Sequence, residues 1–168
     1  MTDNTNRPLP PSASECRLTR IMTVVDANLH GNIHGGVIMK LVDDAAGVVA
    51  NRHSGGRAVT ATMDEMDFLV PVHIGDLVNV RARINWAGRT SMEIGVRVEA
   101  ERWDKVGEAL HTSTAYLVYV ALDEDGKPRA VPPVDASDET DGRRFREAEI
   151  RREHRLARRT AILASRDS

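Results

Sequence analysis

Residues 26–47 read DANLHGNIHGGVIMKLVDDAAG, a polar, glycine-bearing loop that turns into a helix apolar on almost every side. Glycines 31, 35 and 36 carry no side chain that would keep a ligand away from the backbone. A helix opening at Gly35 or Gly36 leaves its first N–H groups unpaired and aimed back at the loop, where they and the helix dipole favour negative charge. Asn28, His30, Asn32 and His34 crowd the same entrance, as an active-site loop would. From Val37 to Ala50 the apolar residues leave no broad polar face, so the segment is expected to be buried. Asp43 and Asp44 nevertheless sit in its middle. At about 100° per residue, Gly36, Lys40, Asp43 and Gly47 share one narrow face, with Asp43 about two turns below the entrance. A buried carboxylate is costly without partners, which makes Asp43 a candidate functional group. The competing reading is a Lys40–Asp44 pair at i,i+4 with a capping or interface aspartate beside it.

Outward from this segment the chain reads as strands. Arg17–Val25 alternates roughly ahead of the loop, and Ala58–Phe68 follows the helix with β-branched and apolar residues. Pro71 and Gly75-Asp76 mark a turn. Leu77–Trp86 then alternates cleanly, with Asn79, Arg81, Arg83 and Asn85 on one face. Ser91–Arg102 alternates in the same way, and Ala109–Leu122 forms a third long strand closed by DEDGKP. One buried helix followed by a meander of long strands predicts an α+β fold, an antiparallel sheet curled around that helix. Alternating βαβ units are missing, which disfavours a doubly wound parallel sheet.

The 168 residues hold 23 Lys and Arg against 25 Asp and Glu, one Cys16 and no apolar run of 18. That suffices for one domain with a real core and excludes an intrachain disulfide, a thiolate zinc site and a helical membrane span. MTDNTNRPLPPSASE has no apolar stretch of the secretory kind, so a cytoplasmic protein is expected, with residues 1–14 as a disordered leader. Charge is uneven: residues 1–142 carry a net −7, and residues 143–168 a net +5. Residues 134–142 read as an acidic linker and 143–168 as an arginine-rich helix, leaving 15–133 for the folded domain. Such a helix binds nucleic acid in one reading; without interleaved aromatics or a binding motif, packing on the chain's own acidic body or on a neighbouring subunit is favoured. His30 and His34 stand four apart in a loop with no helical HExxH frame, so no metal site is expected. Ser91 lacks the spacing and strand-to-helix setting of a nucleophile elbow.

Four segments, DANLHGNIHGGVIMKLVDDAAGVVANRH, FLVPVHIGDLVNVRARI, GRTSMEIGVRVEAE and AYLVYVALDEDGKP, occur in one order that resembles the hotdog-fold acyl-CoA thioesterases. The similarity is to the cytosolic acyl-CoA hydrolases of animals and their short bacterial relatives, and it runs from about Thr19 to Pro133. It implies a long central helix wrapped by an antiparallel sheet, and two such units joined edge to edge with active sites in the seam. Further assembly, commonly to a hexamer, is implied too. Animal members carry two hotdogs in tandem, whereas one domain here must supply both halves of the site.

By the same resemblance Asp43 on the helix and Asn28 of the partner subunit carry the chemistry, hydrolysing fatty acyl-CoA to free acid and coenzyme A. Asp43 would act as general base on water, or attack directly to give an anhydride. Asn28 would hold the water or the carbonyl, and backbone N–H groups of Gly35 or Gly36 would receive the oxyanion. His34 shapes the glycine turn, and with Arg57, Arg89, Thr90 and Ser91 it is a candidate for substrate contacts, the last three from the GRTS element, which alternatively forms only a tight turn. No cofactor beyond the coenzyme A of the substrate is expected. Two other readings remain: a non-catalytic acyl-CoA sensor whose basic tail acts on nucleic acid, and a different hotdog enzyme such as an enoyl-thioester hydratase.

Overall fold

A computed structural model describes residues 7–105 and 107–166. The long helix α1 spans Gly35–Ser54, and five strands form one antiparallel sheet: β1 (Cys16–Ile21), β2 (Ala58–Phe68), β3 (Leu77–Ala87), β4 (Ser91–Glu101) and β5 (Ala109–Ala121). Their order across the sheet is β1-β3-β4-β5-β2, so β2 follows α1 in sequence yet lies at the far edge from β1. One face of the sheet curls over α1. Val78, Val80, Ala82 and Ile84 of β3, Met92, Ile94, Val96 and Val98 of β4, and Ala115, Leu117 and Tyr119 of β5 all pack into this single core. The alternation read from the sequence therefore has a physical origin in one buried and one outer sheet face.

The helix meets this core through Ile38, Val42, Ala45, Ala46, Val49 and Ala50, all buried. Its opposite side is open: Met39, Lys40, Asp44, Asn51 and Arg52 are exposed. Burial on all sides, expected from the sequence, is thus not complete within one protomer, because the sheet covers only one flank of the helix. Gly55 ends α1 in the left-handed conformation (φ 69°), which glycine adopts without a steric penalty. Asn51 Oδ1 accepts from Ala58 N–H at 3.0 Å and so ties the last helical turn to the start of β2.

Three expectations need correction. The first strand stops at Ile21 rather than Val25, because Val24–Asp26 forms a 3-10 turn instead. The buried Asp26 holds that turn by accepting from Thr23 N–H and Thr23 Oγ1 (both 2.9 Å) and pairing with Arg20 (2.6 Å). Of the presumed disordered leader, residues 7–14 are ordered along the body: Leu9 exchanges backbone hydrogen bonds with Pro133 and Asp135, and Pro11–Ala13 forms a 3-10 turn. Residues 1–6 lie outside the described residues. The C-terminal helix α2 spans Glu139–Ala164, starting four residues before the expected Arg143. The acidic run supplies its start: Asp138 Oδ1 accepts from Thr140 and Asp141 N–H, and Glu139 and Asp141 place negative charge in the first turn.

Helix α2 lies across the outer face of the sheet. Asp141 pairs with Arg83 of β3 at 2.6 Å. Arg151 grips the buried Glu93 of β4 (2.7 Å) and stacks 3.7 Å over the Tyr116 ring of β5. Arg155 and Arg158 both reach Asp64 of β2. These arginines are engaged by the chain's own carboxylates.

Candidate active site

The entrance loop is held by its own backbone. Asn28 N–H donates to Asn32 O (2.7 Å), Ile33 N–H to Val72 O, and His34 N–H to Asp26 O. Asn28 Oδ1 accepts from the N–H groups of His30 (2.9 Å) and Asn32 (3.3 Å). That fixes the amide and leaves its Nδ2 hydrogens without a partner among the described residues. His34 caps α1, its Nδ1 accepting from Gly36 N–H at 3.0 Å. Gly36 is therefore already satisfied, and of the two glycine donors expected for an oxyanion only Gly35 N–H remains free among the described residues. A cavity of about 290 Å³ opens here, lined by Asn28, Gly35, Ile38, Phe68, Val70 and Ser113 among others. Asn28 and Gly35 thus share one apolar-walled cleft at the end of β2.

Asp43 is elsewhere. Eight residues of α1 separate it from Gly35, about 12 Å along the axis, and it faces the other end of β2. Its Oδ1 accepts from Thr60 Oγ1 of β2 at 2.8 Å and from the Tyr119 hydroxyl of β5 at 2.7 Å. The same hydroxyl lies 2.9 Å from the Asp43 carbonyl. Burial pushes the Tyr119 phenol well above its ordinary pKa, and the Asp43 and Asp44 charges add to that against a lowering contribution from Thr60. Tyr119 accordingly stays a protonated donor. With two donors on Oδ1, Oδ2 of Asp43 has no partner among the described residues. Asp44 differs: it forms an exposed 2.6 Å pair with Lys40. The i,i+4 pair of the competing sequence reading is thus present at Asp44. Gly47 lies one turn beyond Asp43, and a Cβ there would come within 3.6 Å of the Tyr119 hydroxyl.

The structure brings Arg57, Arg89, Thr90 and Ser91 to the Asp43 end of the sheet. Leu122 N–H donates to Arg57 O and Ala121 N–H to Thr90 O, so the segments carrying Arg57 and Thr90 flank consecutive residues at the end of β5. The same stretch of β5 lies opposite Ser91 through Val120 and opposite Thr60 through Tyr119. The Arg57 and Arg89 side chains are exposed and unpaired among the described residues, whereas nearby Arg129 is spent on Ser54 O, Ser54 Oγ and Leu122 O. His30 is exposed near the entrance, and among the described residues no group of three or more His, Cys, Asp and Glu is arranged to hold a metal ion. A second cavity of about 360 Å³, on the outer face beneath α2, holds none of the candidate residues.

Thr60 and Tyr119 escaped the sequence reading. Both sit inside correctly located strands, but nothing local marks a threonine or tyrosine as the partner of a carboxylate 17 or 76 residues away.

Residues 30–105 match the thioesterase superfamily. An acyl-CoA thioester hydrolase of Zymomonas mobilis is 40% identical over 136 residues, 79% of this chain and 87% of that protein. The cytosolic acyl coenzyme A thioester hydrolase of mouse is 36% identical over 141 residues, 83% of this chain; the chain spans only 37% of that longer relative. Among solved structures, the acyl-CoA hydrolase of Staphylococcus aureus in complex with butyryl coenzyme A, coenzyme A and coenzyme A disulfide superposes with a TM-score of 0.85 at 33% identity, covering 94% of this chain and 95% of that one. An apo-hexameric acyl-CoA thioesterase gives a TM-score of 0.86 at 34% identity, covering 90% and 97%.

Proposed function

The chain belongs to the acyl-CoA thioester hydrolases of the thioesterase superfamily, and from that premise we propose that it hydrolyses fatty acyl-CoA at a site built from two protomers. The observation that carries the reading is the division of labour within one chain: among the described residues, an unpaired asparagine side-chain NH2 and a free helix-terminal N–H share a cleft at one end of β2, and a carboxylate with an unoccupied oxygen stands at the other. Among the described residues β2 is a long edge strand with an unpaired hydrogen-bonding side. A two-fold antiparallel pairing about its middle puts the Thr60 end of one strand beside the Phe68 end of the other. Asp43 of one protomer then approaches the Asn28–Gly35 cleft of its partner, twice per dimer.

In that seam the Asp43 Oδ2 takes a proton from water while the water oxygen bonds to the thioester carbonyl carbon. The developing oxyanion is received by Gly35 N–H and the Asn28 Nδ2 hydrogens. Since Asn28 Oδ1 is consumed by its own loop, the residue acts as a donor. Collapse breaks the C–S bond, and the proton held by Asp43 passes to the departing sulfur, giving free acid and coenzyme A thiol. Thr60 and Tyr119 hold the carboxylate by its other oxygen, so Oδ2 keeps its aim. Arg57 and Arg89, with Thr90 and Ser91, form a cationic rim suited to the phosphates of coenzyme A, while the apolar cleft takes the acyl chain. Further assembly of the pair to a hexamer and a cytoplasmic setting are part of this proposal, in keeping with the hexameric and cytosolic relatives.

The test is release of free coenzyme A, followed with a thiol reagent across acyl-CoAs from acetyl to palmitoyl. Turnover peaking at one range of chain lengths is expected. Tight binding of acyl-CoA with no turnover at any length would instead favour a sensor.

A further inference from the structure

Helix α2 is longer than the sheet it crosses. From Asp141 over β3 to Arg155 over β2 it advances 14 residues, about 21 Å of helix. In doing so it passes three strand spacings, roughly 14 Å. From Arg155 to the helix end at Ala164 about 13 Å of helix remain, which at the same inclination carry the end nearly two strand widths past β2. β2 is the last strand of the sheet.

The face that α2 turns to the sheet recurs every seven residues, at Asp141, Ala148, Arg155 and Ile162. Asp141 and Ala148 are buried, and Arg155 is held on Asp64. Ile162, next in the same stripe, is 47% exposed, and its neighbour Leu163 is 49% exposed. The stripe therefore turns apolar, at Ile162, where the described residues of its own protomer leave it open. Basic charge continues too: Arg159 and Arg166 are exposed and unpaired among the described residues. On β2, Glu65 and Asp67 lie opposite Tyr116 and Thr114, on the outer face with α2, and both are exposed and unpaired among the described residues.

We propose that the last turns of α2 are a clasp that reaches over the seam and packs on the outer sheet face of a second copy, with Ile162 and Leu163 against that surface and Arg159 near the partner's acidic β2 strand. This rests on the edge-to-edge pair proposed above. A two-fold axis through the β2 seam makes the contact reciprocal, one overhang on each protomer covering the other's sheet. The arginine-rich helix thereby serves as a fastener for the seam that holds both active sites.

The test uses the full chain. Native mass spectrometry first reads the assembly; a benzophenone amino acid is then introduced at position 162, with position 153 on the opposite face of α2 as control, and irradiated. The expected result is an even-numbered assembly in which position 162 yields a dimer-mass band on a denaturing gel and position 153 does not. An even-numbered assembly with no such band from position 162, or with equal bands from both positions, overturns the clasp and leaves the edge pair standing. A monomeric chain overturns both. As a second arm, removal of residues 159–168 is expected to raise the dimer dissociation constant about tenfold or more, and an unchanged constant counts against the clasp.

Discussion

Asp43→Asn is expected to lower kcat for acyl-CoA hydrolysis by about 10²–10⁴-fold while leaving KM nearly unchanged, the signature of a general base lost from the transition state. The substitution is nearly isosteric. Its amide oxygen still accepts from Thr60 and Tyr119, which now hold Oδ1 at 2.8 and 2.7 Å, so the helix, the edge strand and β5 keep their mutual contacts. What disappears is the proton-accepting oxygen that has no partner among the described residues. Asp44→Asn serves as the control. It breaks only an exposed i,i+4 pair with Lys40, a contact worth a few tenths of a kcal/mol, and its turnover should match the parent. Equal losses in both variants, or full activity in Asp43→Asn, would remove the base from this position.

The second large effect is on stability. Glu93 is 1% exposed on the outer sheet face, and its carboxylate is satisfied by Arg151 Nε and Nη2 and by Asn85 Nδ2. A buried charge that loses its partner costs far more than the pair contributed. Arg151→Met should therefore destabilise the fold by about 3 kcal/mol, read as a shift of the urea midpoint. Adding Glu93→Gln to that variant removes the stranded charge and is expected to restore more than half of the loss. A midpoint that barely moves in Arg151→Met, or a double variant no better than the single, would show that α2 is not clamped by this contact.

What the chain discloses in one dimension tracks how local the physics is. The loop and the first turns of α1 are readable because glycines, a histidine cap and an apolar run act within a few residues of one another. The outward face of β3 and β4 is equally readable from alternation. The Asp43 cradle is not, since it depends on the register of β2 against β5, and that register is shifted by irregularities between Thr60 and Thr62 and between Met63 and Glu65. Free and spent donors are also invisible in sequence: Gly35 and Gly36 look alike until the His34 ring is found on Gly36 N–H. The acidic stretch before α2 read as a linker because Asp, Glu and Gly dominate it, yet Asp138 caps the helix and Asp141 binds Arg83, a residue 58 positions earlier.

The central claim is that each site draws Asp43 from one protomer and the Asn28–Gly35 cleft from the other, and subunit mixing tests it most directly. Asp43→Ala and Asn28→Ala chains, each expected to be inactive alone, are dissociated, mixed in equal amounts and reassembled. A mixed dimer then contains one doubly damaged site and one intact site. With random pairing about one quarter of the parental activity should return. If Asp43 and Asn28 instead served the same site from one chain, every site in the mixture would carry a lesion, and the activity would stay at the level of the separate variants.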